Sequence, residues 1–500
     1  MSCLLVESNQ QNKKFRTGVA TPAGRIYHFE MMNKNDFMKS GRLTCKLLNV
    51  ILISIIGIRS VVFSGSAQVK ELVRGQNKEH TLYTLTDCYS LARDRNITLL
   101  QAQNNINANK IVHKTAQFSL LPSVSYDVGH SYSLGKNIDP VTNIFVNEAF
   151  SAGYTSMGVQ LQVFSGFSRI HAIKQSAYLI RAAEYAKKSA ELELLTNLTL
   201  TYARLLLDKE QLIAQRNNIQ STTKQLEVVN ARIEVGRVSK YEYYTFNARL
   251  NTEQADMVTI QNDSLTALQN LKQLLNLSYS AELEIAPIDT TILSKIFFTN
   301  ISAANFIEEI LPAHPAIKQA EMNVEASRLG EKIAKGSFWP SISVGGNLVS
   351  NYNIGEETDD GRKIPLDRQL NDNLGQNLSF SLSIPIFSQM QNANNVKKEK
   401  INTFNAQLAV QEAKNTIVTN TLQIVNDFNG ARQKYAAILS AWQQNKLSYS
   451  LYEEKYRLGQ ISSVELLAAR DILNASTSKY LQAKLQLFFQ FQLIELLRSY

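Results

Sequence analysis

The sequence predicts an α+β protein made by internal tandem duplication, each copy holding very long coiled-coil helices and a pair of short alternating strands. Three observations carry this expectation. Motifs recur in the same order roughly 220 residues apart, one stretch of 69 residues has neither glycine nor proline, and four segments alternate apolar with small polar residues. Composition agrees: 500 residues contain only 9 prolines and 21 glycines, and mean hydropathy is slightly negative. Such a chain favours long uninterrupted helices over a many-turned β protein.

The N-terminal 67 residues read as a targeting segment. Lys34, Lys39, Arg42 and Lys46 precede an apolar run over 47–63, and Gly65-Ser66-Ala67 supplies the small residues that a signal peptidase requires. Cleavage is expected after Ala67, with translation starting at Met1 or at Met31, Met32 or Met38. An uncleaved membrane anchor is the structural alternative. The segment holds nine Lys/Arg and three Asp/Glu, so it carries +6 of the total charge of +9. The mature chain is then near +3, and the high isoelectric point of the full sequence, which rests largely on the leader, does not argue for a nucleic-acid partner. Cys3 and Cys45 leave with the leader. Cys88 alone remains, which excludes an intramolecular disulfide and a cysteine-rich zinc site and favours a buried helix thiol over a reactive one.

The duplication rests on three landmarks. Leu121-Pro122-Ser123-Val124-Ser125 returns as Trp339-Pro340-Ser341-Ile342-Ser343, at an offset of 218. Val163-Phe164-Ser165 returns as Ile386-Phe387-Ser388, and Val235-Gly236-Arg237-Val238-Ser239 as Leu458-Gly459-Gln460-Ile461-Ser462, both at 223. Collinear matches of this kind indicate a repeat, and the change of offset places a five-residue insertion between Pro340 and Phe387. The expected organisation is a leader over 1–67, a first repeat over 68–277, an irregular equatorial segment over 278–312, and a second repeat over 313–500.

Residues 167–235 hold the stretch free of breakers, which as one helix would be about 100 Å long at 1.5 Å per residue. Leu195, Leu198, Tyr202, Leu205 and Leu212 follow a seven-residue pattern; Ile424, Phe428, Ala431, Tyr435, Ile438 and Trp442 do the same in the second copy. That period means coiled-coil packing. Shorter helices are expected over 84–120, 240–277, 315–336 and 464–497. The expected stacking is end to end, 240–277 on 315–336 and 84–120 on 464–497.

The strands have period two. Val124, Tyr126 and Val128 alternate with Ser125, Asp127 and Gly129, and Met157, Val159, Leu161 and Val163 with Gly158, Gln160 and Gln162. In the second copy Ile342 and Val344 alternate with Ser343 and Gly345, and Leu378, Phe380, Leu382, Ile384 and Ile386 with Ser379, Ser381, Ser383 and Pro385. Each is about ten residues long, enough to cross a bilayer as a tilted strand. A soluble sheet covered by helices is the alternative, but the helices are too long and rod-like to fold over two hairpins. Four strands cannot close a barrel in lipid, so several chains must contribute, and three would give twelve strands. The loops over 134–153 and 350–376 are polar. Glu356, Glu357, Asp359, Asp360, Asp367 and Asp372 lack calcium-loop spacing and read as loop solvation.

With the duplication, the Leu-Pro-Ser strand entry, the Phe164-Ser165-Gly166 passage and the two glycine tips in place, residues 81–500 resemble the TolC-like outer-membrane efflux protein family. That resemblance implies a homotrimer with a twelve-stranded transmembrane β-barrel in the cell outer membrane and a long periplasmic α-helical barrel. It implies an exit duct of a tripartite efflux or type I secretion system, contacting outer-membrane lipid, a periplasmic adaptor (membrane fusion) protein and an inner-membrane transporter. The resemblance places the adaptor-docking tips at Val235, Gly236, Val238, Ser239, Leu458, Gly459, Ile461 and Ser462; turn formation without partner contact is the other role these residues can play. It also makes Glu465, six residues past Gly459, a pore-constriction candidate, although the family's second acidic position is Ala468 here. A solvated surface charge is the alternative for Glu465, whose counterpart in the first copy is Glu242.

No phosphate-binding glycine loop, Gly-x-Ser-x-Gly elbow or His-Glu-x-x-His helix is present, and His80, His113, His130, His171 and His314 lack ligand spacing. The expectation is therefore no enzyme, no cofactor, no metal and no nucleic-acid partner. Asn96-Ile97-Thr98 and Asn197-Leu198-Thr199 are sequons within predicted helices and carry no expectation of glycosylation. A coiled-coil surface structural protein or adhesin is the rival function; it explains the rods and leaves the paired hairpins unexplained.

Overall fold

The computed structural model describes residues 82–138, 144–147, 150–288, 291–354 and 362–500. The leader, the cleavage site, Cys3 and Cys45, and the acidic residues Glu356, Glu357, Asp359 and Asp360 lie outside the described residues.

The chain opens with β1 (Leu82–Tyr83), α1 (Leu85–Arg95) and α2 (Ile97–Phe118), followed by β2 (Ser123–Ser133), a small hairpin of β3 (Lys136–Ile138) and β4 (Phe145–Asn147), and β5 (Phe150–Ser165). Next come the long α3 (Ser168–Glu234) and its return α4 (Lys240–Leu274). A belt of β6 (Glu284–Ile285), α5 (Thr291–Phe298) and α6 (Ala303–Ile310) leads into α7 (Pro315–Gly336), β7 (Ser341–Ile354), the short α8 (Leu366–Asp372) and β8 (Gly375–Ser383). The chain ends with α9 (Gln391–Arg457) and α10 (Ser463–Arg498). The two long helices have 67 residues each, about 100 Å of rod. None of the described helices is apolar enough to cross a membrane.

The two halves turn into their long helices in the same way. Gly166 and Phe167 have φ of 60° and 62°, and Gln389 and Met390 have 50° and 64°. Left-handed pairs at matching positions swing the chain from strand to helix where no side chain caps the helix end. At the first junction Gly166 is needed for space as well: a β-carbon there would lie 2.2 Å from the Gly336 carbonyl oxygen.

The stretch expected as one helix over 84–120 is broken at Asn96. Its backbone is extended (φ −64°, ψ 130°), ending α1, while its side-chain oxygen accepts the Thr98 N–H and starts α2. The break also corrects the stacking. Asn96 Nδ2 donates to the Leu274 carbonyl (2.9 Å) and Asn276 Nδ2 to that of Arg95 (3.1 Å), so α2 continues α4 and does not stack on α10. At the other equatorial joint Arg498 reaches Glu309 (3.0 Å), and Ile494 packs with Ile310, so α10 runs up to α7. Each half therefore closes its own composite helix. Helix length alone does not specify which ends meet; at the first joint two asparagine amides on helix-end carbonyls do.

The wall runs α2/α4, α3, α7/α10, α9, each packed on the next. Its main core gathers Leu194, Leu198, Tyr202 and Leu205 of α3 with Leu271, Cys88, Ile285 and Phe489. The belt seals this level: β1 pairs with β6 in parallel, and the Tyr202 hydroxyl bridges the carbonyls of Tyr83 and Ala286 at 3.1 and 2.9 Å. A second cluster joins Ile296, Phe306 and Ile310 of the belt to Val425, Phe428 and Leu487.

The sheet order is β2-β5-β7-β8, all antiparallel, with Ser123 opposite Gln160, Gln160 opposite Gly345 and Gly345 opposite Ser379. Ser123, Ser125, Gly158, Gln160, Gly345, Asn347 and Ser379 line one polar trough. The other face exposes Val124, Tyr126, Val128, Met157, Val159, Leu378, Phe380 and Leu382. The strands outrun the expected ten residues: β5 has 16 and β7 has 14. Consequently 350–354 is strand and not loop, and α8 fills much of the second hairpin, where Gln369 bonds the backbone of Asn353 from both its amide atoms. Asp367 and Asp372 sit on α8. At the other end Pro385, which lacks an N–H, keeps the alternating pattern of 384–386 out of the β8 ladder.

Candidate functional site at the hairpin tips

Both long helices reverse through the same device. The Gly236 N–H bonds the Ile233 carbonyl and the Arg237 N–H that of Arg232; the Gly459 N–H bonds Tyr456 and the Gln460 N–H bonds Lys455. This pair of bonds satisfies the last carbonyls of each helix and needs a left-handed residue between them. Gly236 and Gly459 have φ of 70° and 73°, and a β-carbon on either would meet nothing within 4 Å. Glycine is required at the tips by backbone conformation, not by crowding.

The structure divides the eight expected tip residues. Val235 and Leu458 stand at the crests, 68% and 61% exposed. Val238 and Ile461 fold back against a core of Val229, Phe246, Tyr456 and Leu466, so they hold the tip together. Ser239 and Ser462 cap the return helices, accepting the N–H of Tyr241 and of Glu465 respectively.

Glu465 lies at the third position of α10 and closes a capping box: its carboxylate accepts the Ser462 N–H at 2.8 Å and the Ser462 hydroxyl at 2.9 Å. These bonds, backbone first, hold its carboxyl below the usual range. The side chain is exposed, so the anion that caps the helix is also free to meet solvent ions. Glu242, its counterpart, makes a different contact: the Tyr456 hydroxyl donates to Glu242 Oε2 at 3.1 Å. Burial first, and then the Glu242 charge, push the Tyr456 phenol up to about 12. Arg232 lies over the same ring, 5.7 Å from its centroid.

Farther up, a charged cluster joins the two halves. Glu253 of α4 and Arg470 of α10 are both buried and 3.2 Å apart. Glu253 also accepts from Thr222 (2.6 Å) and Arg249 (2.9 Å), Arg249 reaches Asp471 (2.5 Å), and Arg470 donates to the Asn218 carbonyl (2.5 Å). Neither Tyr456–Glu242 nor this cluster is legible in the repeated motifs. Both are contacts between unlike positions of the two halves, and a search for repeated motifs selects like positions. Arg470, set among Leu466, Leu467 and Leu473 of α10, is the signal the sequence offers. Among the described residues no group of His, Cys, Asp and Glu is placed to hold a metal ion.

A wall of paired long helices, joined at one end to a sheet with one apolar and one polar face, defines by class a channel protein of the outer membrane. The chain belongs to the outer membrane efflux protein family, whose sequence profile it matches over residues 88–277 and 306–492. It is 23% identical over 349 residues to the pyoverdine export outer membrane protein OpmQ of Pseudomonas aeruginosa, spanning 68% of this chain and 67% of OpmQ. It is 22% identical over 405 residues to the outer membrane protein TolC of Salmonella enteritidis, spanning 81% of this chain and 78% of TolC. In fold it is similar to the Campylobacter jejuni CmeC outer membrane channel, with a TM-score of 0.65 at 19% identity over 83% of this chain and 85% of that one. The family is one of outer-membrane efflux proteins and not of enzymes.

Proposed function

We propose that three copies of this chain assemble into the exit duct of a tripartite efflux or type I secretion system, with four strands from each copy closing a twelve-stranded barrel around a continuous tunnel. The observation that carries this is the open sheet. Among the described residues strands β2 and β8 each have a free edge, and unpaired backbone groups in lipid cost roughly several kcal/mol each. A second copy on each side removes both edges. The flanks of the helical wall fit the same assembly: α2 leaves Ile97, Leu100, Ile111 and Phe118 exposed, and α9 leaves Ile401, Phe404 and Leu408. In this arrangement the polar trough lines the lumen and the apolar face meets lipid. A tandem duplication explains why the two halves supply walls of equal length.

The tips are proposed to meet a periplasmic adaptor through Val235 and Leu458, which links the duct to an inner-membrane transporter. The Glu465 carboxylates are proposed to ring the constriction. Conductance of the purified protein in a planar bilayer tests the duct: discrete, cation-sensitive openings are expected. A trimer that stays silent even after substitutions that loosen the tips rules it out.

A further inference from the structure

Two seven-residue rows run down one face of α3: Lys174, Arg181, Lys188, Leu195 and Tyr202, and beside them Tyr178, Tyr185, Leu192, Thr199 and Leu206. Their lower members are buried under the belt and the chain's last residues, with Tyr202 bridging Tyr83 and Ala286 and Leu192 and Leu195 packed on Tyr89 and Tyr500. On the duct reading, on which this inference rests, the belt lies outside the tunnel, so the upper members of both rows also face outward. They change character completely: Lys174, Arg181 and Lys188 are exposed, and Arg181 and Lys188 lie 5.6 Å over the rings of Tyr178 and Tyr185.

At the top of this face α7 adds a matching set. A pocket of about 480 Å³ is lined by Lys174 and Tyr178 of α3 and by Glu325, Arg328, Glu331, Lys332 and Lys335 of α7. Glu325 pairs with Arg328 and Glu331 with Lys335, each at 2.6 Å. Lys174 and Lys332 have no hydrogen bond or ion pair among the described residues, which leaves two uncompensated cations. Near both of them the His171 ring carries a buried Nδ1 without a hydrogen-bond partner among the described residues. Burial, and then Lys332 and Lys174, hold that imidazole below its usual value, so further positive charge is disfavoured beside these two lysines. On α9, Lys397, Lys398 and Lys400 are exposed at a similar distance from the sheet, with Glu399 turned toward Gly330.

The height of the pocket identifies the anion. The strands give way to helix at the Gly166–Gly336 contact, where Phe167, Phe338 and Trp339 are exposed, as aromatic residues are at a membrane boundary. Counting helix rise from that contact, Lys335 lies about 2 Å, Lys332 about 6 Å, and Lys174 and Arg328 about 12 Å below it. A headgroup layer is about 5–8 Å deep on each side of the hydrocarbon, so Lys335 and Lys332 fall within it and Lys174 and Arg328 about 4 Å beneath it. We infer that the Lys174–Lys332 pocket binds the phosphate of an anionic phospholipid in the periplasmic leaflet, with the acyl chains running up past Trp339 and Phe167. Each copy would thereby be fixed at one depth in the bilayer.

Native mass spectrometry of the detergent-solubilised full chain, titrated with phosphatidylglycerol, phosphatidylcholine or inorganic phosphate, tests the inference. Wild type should retain phosphatidylglycerol preferentially, and Lys174→Gln/Lys332→Gln should lose about thirtyfold in that affinity, as two lysines at a charged surface would. Lys188→Gln, about 33 Å below the junction, should keep the preference, which separates lipid binding from general loss of charge or fold. Equal retention of both lipids by wild type, or an unchanged preference in the double variant, overturns the inference. Displacement of the lipid by millimolar phosphate overturns it too, because the site would then recognise the free ion. A wild-type protein that conducts but shows no lipid preference refutes this site and spares the duct; one that selects phosphatidylglycerol but never conducts does the reverse.

Discussion

Glu253 and Arg470 form an ion pair across the two halves of the chain, 3.2 Å apart with side chains 2% and 3% exposed. Thr222, Arg249 and the Asn218 carbonyl take most of their remaining hydrogen-bonding capacity, yet Arg470 Nη1 is buried without a partner. Breaking such a pair from one side leaves a charge stranded, which costs more than the pair itself contributes. Arg470→Met should therefore destabilise the chain by about 3–5 kcal/mol, whereas Glu253→Leu/Arg470→Met should recover most of that. Thermal unfolding followed by circular dichroism distinguishes the two. Equal losses in the single and double variants would mean that packing, not charge, holds α4 to α10.

The Tyr456–Glu242 bond lies closer to the tip and joins α9 to α4. Tyr456→Phe keeps the ring in the Phe246–Leu466 core and removes only the donor, so the fold should lose about 1 kcal/mol or less. If the bond restrains the tips, the variant should show a higher open probability in a planar bilayer at unchanged trimer yield. Identical gating in both proteins would confine the bond to a structural role.

Large-scale architecture was readable from the sequence because its causes are periodic. Freedom from breakers over 167–235 anticipated a helix that spans Ser168–Glu234, and alternation anticipated four strands. What escaped depends on single polar atoms. Asn96 looked like one more helical residue until its side chain was seen to cap α2 and bond Leu274, and that contact decides which helices share a wall position. At the tips, Val235 and Val238 are alike in the repeated motif, although packing against Phe246 and Tyr456 separates an exposed crest from a half-buried brace.

The tip glycines have no neighbours within 4 Å of a would-be β-carbon. Gly236→Ala or Gly459→Ala should therefore cost only the left-handed backbone penalty, about 1–2 kcal/mol, and trimers should still form. Tryptophan at both positions should leave trimers in the membrane but abolish export, because the crests beside Val235 and Leu458 would no longer seat on a partner. Export at the wild-type rate from such a variant would refute docking through the tips.

Glu465→Gln separates the two roles of one carboxylate. As a cap, the ionised group stabilises α10 fully above the unfolded pKa of about 4.3. Because its folded value is lowered, that contribution fades as the pH falls through the folded value. The glutamine variant should lack this acid-dependent component, seen as a flatter melting temperature between pH 6 and 3. If three such carboxylates also ring the pore, the reversal potential in a salt gradient should move toward zero in the variant. A flat melting profile with an unaltered reversal potential would leave Glu465 as a helix cap only.

Cys88 offers a readout of both folding and processing. It is fully buried beside Ala92 and Leu198, and burial, followed by the Asp87 charge, pushes its thiol up to about 12. The thiolate is the reactive form, so native protein should resist iodoacetamide at pH 8 and react only at the rate at which α1 opens. An unfolded thiol ionises near pH 8.5 while the folded one stays neutral. The contribution of Cys88 to stability is thus complete below that pH and is lost as the pH rises toward the folded value. Denatured protein recovered from the outer membrane should alkylate once per chain, since Cys3 and Cys45 belong to the expected leader; two alkylations (start after Cys3) or three (start at Met1) would mean the leader is retained. Fast labelling of the native protein at pH 8 would show that α1 does not stay docked on α3, contrary to the packing of Cys88 against Leu198.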